Sequence, residues 1–153
     1  MRTIFTLLVF ILTSSHVAYA CHKAHLNPRE AFKEADIIFR GKVENLRYLD
    51  APNKTKTEPR IIVTFRTSEI WKGTADNTLT LHTTHNKSTC NGYIFKVGEE
   101  YLVYSHYNRR ADNFLAKLFA PDTPTLGVKV YGGTKHISNA KQDLKYLGKG
   151  MAN

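Results

Sequence analysis

The feature that most constrains this chain is a succession of short β-rich segments, each bounded by glycine, proline or polar residues. The first runs from about Ile37 to Tyr48. There Ile37, Phe39, Gly41 and Val43 alternate with Ile38, Arg40, Lys42 and Glu44, a pattern expected of a sheet with one wetter face. Gly41 inside it predicts a bulge or sharp bend, as a closing barrel needs. Residues 50–60 are polar and hold Pro52 and Pro59, so they read as an exposed connector. A second strand spans roughly Arg60 to Ile70 and is ended by Trp71-Lys72-Gly73; a third covers Thr78 to Thr84, with Leu79 and Leu81 as its apolar pair. Residues 85–92 form a loop carrying Cys90 and Gly92. A fourth strand, Glu100 to Tyr107, contains Tyr101-Leu102-Val103-Tyr104, apolar on both faces and so expected to be central.

Beyond residue 108, Phe114–Phe119 and Leu126–Tyr131 are each candidate strands, separated by Pro121 and Pro124 and stopped by Gly132-Gly133. Short helices are expected at both ends. Asn27 can N-cap the first, with Pro28 at its first position and Glu30 completing a capping box; Ala31, Phe32 and Ala35 give it an apolar side. The last fits 139–147, with Ser138 as cap, Leu144 and Leu147 on one side and Gly148 at the stop. The expected fold is therefore mainly β with short terminal helices, a small closed barrel of five or so strands rather than a sandwich.

The N-terminal residues read as an export leader. Arg2 precedes an apolar run from Ile4 to Leu12, too short to span a bilayer, and Ala18-Tyr19-Ala20 has the small-x-small form of a signal-peptidase site. The expected organisation is a signal peptide at 1–20 and one domain at 21–153, secreted or periplasmic, with no transmembrane segment. Cleavage would make Cys21 the first mature residue, with a free α-amino group beside its carbonyl, a pair able to chelate a metal ion. Ala18 at −3 and bulky Tyr19 at −2 depart from the pattern that directs lipid to such a cysteine. The mature chain carries 21 Lys and Arg against 13 Asp and Glu, a balance that draws a secreted domain toward anionic polymers or surfaces. Cys21 and Cys90 are the two cysteines, so one intramolecular bridge is possible, and an oxidising compartment favours it over two thiols. A bridge of this span contributes about 4 kcal/mol at most in the loop-entropy picture.

From Cys21 the chain resembles a known family. Cys21, Pro28, Ala31-Phe32, Ala35-Asp36 and a strand with Arg40 and Lys42 follow without a gap; Trp71-Lys72-Gly73, Ser88-Thr89-Cys90, Val97-Gly98 and Glu100-Tyr101-Leu102 come later. This series, over roughly residues 21–107 with a weaker tail at Asn139 to Leu147, is similar to the N-terminal domain of the tissue inhibitors of metalloproteinases, within the netrin-like modules. The resemblance implies a five-stranded OB-fold barrel and a non-enzymatic role. It implies that Cys21 bridges Cys90 and caps the catalytic zinc of a metalloproteinase, its amine and carbonyl displacing the zinc-bound water. His22 would enter the specificity pocket, and Lys23, Ala24, Ser88, Thr89 and Cys90 would line the contact ridge. No cofactor of the chain's own is implied, since the zinc belongs to the target, and the protein is expected to be a monomer. The chain departs from the family in having Lys23 and Lys33 at cysteine positions and Gly132-Gly133 where a partner cysteine is expected. Asn91 is also inserted before Gly92. A ridge held by one bridge should bind more weakly.

Other chemistry weighs less. His22, His25, His82 and His85 lie near the two cysteines in sequence and, with the terminal amine, could bind zinc or copper directly. Tyr48, Tyr93, Tyr104 and Tyr107 offer rings for stacking bases, but export argues against nucleic acid. No Gly-x-Ser-x-Gly, His-Glu-x-x-His or Walker pattern is present, so the chain is read as a non-enzyme. Asn53 and Asn86 open glycosylation sequons, and a glycan on Asn86 would crowd the ridge. The rival reading is a netrin-like binding module that uses its basic surface to hold an anionic or protein partner without inhibiting anything.

Overall fold

The computed structural model describes residues 26–49, 60–84, 92–108, 125–129 and 131–152. The alternation seen in the sequence folds as strands β1 (Ile37–Tyr48), β2 (Arg60–Lys72), β3 (Thr78–Thr84), β4 (Glu100–Tyr107) and β5 (Leu126–Val128). β1 pairs antiparallel with β2 and β4, β2 antiparallel with β3, and β5 antiparallel with β4 and parallel with β3. The circuit β1-β2-β3-β5-β4 thus returns to β1 and closes. The protein is a closed five-stranded, OB-fold-like barrel carrying two short helices, α1 (Pro28–Glu34) and α2 (Lys141–Leu147). Two-residue strands β6 (Lys135–His136) and β7 (Met151–Ala152) add to β4 and β2.

Closure needs a bend, and β1 supplies it. Its register against β2 shifts at Ile38/Phe39, at Arg40/Gly41 and at Val43/Asn45, so the bulge expected at Gly41 is one of three. A Cβ on Gly41 would lie 3.0 Å from the Phe39 ring and 3.1 Å from the Arg66 carbonyl, so a side chain at this bend would force both neighbours to shift.

Two cores result. The barrel interior is filled by Phe39, Val43, Ile61, Val63, Phe65, Leu81, Phe95, Tyr101 and Val103, among others. Its rings meet edge to face, Phe65 lying 5.3 Å from Phe39 and 5.1 Å from Phe95, with Phe95 5.0 Å from Tyr101. Edge-to-face pairs add roughly 0.5–1.5 kcal/mol beyond burial. The second core lies outside the barrel, where α1 and α2 cover Ile38, Leu102 and Tyr104. The wetter face expected of β1 is therefore dry at Ile38, because a helix lies on it. Tyr104, read from sequence as a ring for base stacking, is wholly buried. Its hydroxyl donates to Asp143 Oδ1 at 3.0 Å, and Lys135 Nζ donates to Asp143 Oδ2 at 2.8 Å, so a buried carboxylate on α2 is fully partnered.

Helix α1 begins as expected. Glu30 N–H donates to Asn27 Oδ1 at 2.9 Å, and Glu30 returns its carboxylate to the Asn27 N–H, a capping box behind Pro28. The C-terminal helix differs. A 3-10 turn, Ile137–Asn139, precedes it, Ala140 is its N-cap with no side-chain hydrogen bond, and Ser138 sits inside the 3-10 turn with its N–H on His136 Nδ1. Ala140 is fully buried in the second core, so packing against the barrel starts the helix where a polar cap would otherwise be needed. Gly148 stops it at φ 70°, as expected. Candidate strand Phe114–Phe119 lies outside the described residues, and the segment expected at Leu126–Tyr131 is a strand only to Val128.

Candidate functional site

The residues expected to carry function, Cys21, His22, Lys23, Ala24, Ser88, Thr89 and Cys90, all lie outside the described residues, as do the Cys21–Cys90 bridge, the leader, His25, His85, Asn53 and Asn86. The structure defines the two platforms from which they extend: the start of α1 at Leu26-Asn27 and the two ends of the 85–91 loop.

The α1 platform is clamped at every free carbonyl of its last turn. Ala35 N–H donates to Ala31 O at 3.0 Å. Lys72 Nζ reaches across from β2 to Phe32 O at 2.8 Å and Lys33 O at 3.3 Å, lying 5.1 Å from the centre of the Phe32 ring. His106 Nδ1 sits 3.0 Å from Glu34 O; a carbonyl only accepts, so Nδ1 carries the proton. A lysine at a helix C-terminus also meets the negative end of the helix dipole. The Trp71-Lys72-Gly73 turn thus acquires a physical role. Trp71 Nε1–H donates to Gly148 O at 2.9 Å and holds the end of α2, Lys72 holds the end of α1, and Gly73, at φ 75°, passes so close to Asp36 O that a Cβ would approach it at 2.9 Å.

His106 has a second consequence. With Nδ1 donating, Nε2 is a lone-pair acceptor, and it is buried without a hydrogen-bond partner among the described residues. Burial is the main cause holding this imidazole below its ordinary pKa; Lys129 adds to the shift, while the Glu34 carbonyl and the Asp36 and Glu34 charges oppose it.

The loop platform is equally tight. Residue 84 ends β3 and Gly92 returns the chain at φ 100°. Gly92 N–H donates to Val128 O at 3.1 Å, and the Thr83 hydroxyl accepts from Tyr93 N–H at 2.8 Å. A Cβ on Gly92 would collide with the Thr84 carbonyl, so no other residue closes this loop without displacing β3.

Sequence reasoning missed a groove that runs along β3. It has a volume of about 490 Å³ and is lined by Ile37, Ala75, Asp76, Leu79, His82 and Tyr107 among others. Of the four histidines weighed as metal ligands only His82 is described, and it faces this groove. Among the described residues no three His, Cys, Asp or Glu side chains gather as a metal site, and no helix is long and apolar enough to cross a membrane. Searches against protein-family models and curated proteins return no match for this chain.

Proposed function

We propose that this protein is an exported inhibitor of a zinc metalloproteinase that acts through a mature N-terminal Cys21. The observation that carries the reading is the anchored α1: Lys72 and His106 hold its C-terminal turn against the barrel, and its N-terminal side leads back in sequence to Cys21. A rigid base matters because a terminus that enters a metal site pre-ordered loses less entropy on binding. A catalytic zinc keeps one open position for water, and an α-amino group, which ordinarily titrates at about pH 7.7–8.0, offers a neutral nitrogen donor near neutral pH. The amine and carbonyl of Cys21 would replace the water, His22 would enter the adjoining pocket, and Ser88, Thr89 and Cys90 would flank the terminus from the loop seated at Gly92. The Cys21–Cys90 bridge would join the two platforms. Assaying the exported protein against a panel of zinc endopeptidases tests this. We expect inhibition that is lost in Cys90→Ser; a panel untouched at micromolar concentration would reject it.

A second reading, a module that holds an anionic partner, is favoured by the helix layer. Lys141 and Lys145 are exposed on α2 and Lys149 is exposed just beyond it, with Arg29 and Lys33 exposed on α1. Tyr146, half exposed, stands among them with its ring 6.4 Å from Phe32. Retention on an immobilised polyanion that falls in Lys141→Gln/Lys145→Gln/Lys149→Gln, with protease inhibition absent, would select this reading over the first.

A further inference from the structure

The barrel closes unevenly. β2 pairs with β3 along the whole length of β3, from Arg60 with Thr84 to Arg66 with Thr78. On its other side, among the described residues, β3 meets β5 through His82 and Gly127 alone. β5 itself is three residues long, Leu126–Val128. Residues 78–81 are thus left with one edge unpaired among the described residues. A strand rises about 3.3 Å per residue, so the open edge is roughly 13 Å long. The groove of about 490 Å³ lies along this edge.

Its lining is unlike the rest of the molecule. The chain has 22 Lys and Arg against 13 Asp and Glu, yet among the described residues the groove wall holds one carboxylate, Asp76, and no Lys or Arg. Ile37, Ala75, Leu79 and Leu126 give it an apolar floor, and hydroxyls of Thr78, Thr80, Thr125 and Tyr107 stand around it. Tyr107 is 40 % exposed at the mouth. An unpaired strand edge recognises main chain, an apolar floor accepts alternate side chains of an extended segment, and a lone carboxylate in a basic protein selects a cation.

We propose that this groove is a β-augmentation site for an extended peptide segment of a partner protein bearing a lysine or arginine. The segment pairs with β3 over residues 78–81, places an apolar side chain over Leu79 and Leu126, and sets its basic side chain against Asp76. The site is independent of Cys21 and stands whether or not the terminus inhibits a protease.

The test uses the ¹⁵N-labelled exported protein and two blocked pentapeptides that alternate valine and threonine, one with a central lysine and one with glutamate there. The lysine peptide should shift amide signals of Thr78–His82 and Leu126–Gly127 and bind about two- to fivefold more tightly than the glutamate peptide, the scale of one exposed ion pair. Asp76→Asn, an exposed change, should remove that preference while leaving the shifts in place. Shifts confined to other strands, equal binding of both peptides to the parent protein, or no shifts at all would overturn the proposal. Slow amide exchange at β3's outer edge in the free protein would also overturn it, since the edge would then already be paired.

Discussion

Single residues decide how well the two platforms hold. Gly92→Ala combines a positive φ with a collision on the Thr84 carbonyl, and we expect a loss of at least about 2 kcal/mol in urea unfolding. Parental stability in that variant would mean that the loop return is seated more loosely than the Thr84 contact implies. Lys72→Met keeps the stem over Phe32 but strips donors from two helix carbonyls, which should cost about 1–3 kcal/mol by the same measurement, with an unchanged m-value. His106 sets a pH dependence whose sign follows from its lowered pKa. The unfolded chain takes up a proton near pH 6.5 and the folded chain does so only at lower pH. The contribution is therefore complete above about pH 6.5 and is lost as pH falls from there toward the folded value. His106→Asn, which can still donate to Glu34 O, should flatten the stability profile in that window; an unaltered profile would show that His106 is not its source.

At the scale of elements, what the sequence reveals divides by range. The α1 capping box is written in Asn27, Pro28 and Glu30, and β3 and β4 begin and end at the residues their patterns mark, because those signals are local. β6 and β7 are two residues long and exist only through pairing with β4 and β2, so no periodicity announces them. The same holds for Ala140 as a helix start and for Ile38 beneath a helix: tertiary cover overrides the local cue. The groove was illegible because it is lined by residues from β1, β3, β4 and the loop at 74–76 that only the fold brings together, which leaves no motif. Trp71-Lys72-Gly73 was visible as a turn, but its hold on both helices joins residues some 40 and 77 positions apart. α2 depends on such long-range ties. Asp143→Ala removes the acceptor of Tyr104 and Lys135, and we expect a loss of about 2 kcal/mol or more, with amide exchange rising first in α2 and later in the barrel. Uniform acceleration across the barrel would contradict this division of stability.

The molecule as a whole joins a closed OB-fold-like barrel to a helix fixed on its wall, and we propose that the helix presents a working terminus. Barrel and helix are observed; that the terminus acts is the proposal. Its chemistry makes an unusual demand, since the nitrogen donor must be the α-amino group of Cys21 itself. One added residue converts that amine into an amide, which has no lone pair to give, and leaves the barrel, the clamps on α1 and the side chains of the ridge unchanged. The most direct measurement is therefore inhibition of a zinc endopeptidase panel by two proteins, one starting at Cys21 and one with a single extra alanine before it. We predict inhibition by the first and none by the second at equal stability. Equal inhibition by both, or by neither, would contradict the chelating role of Cys21.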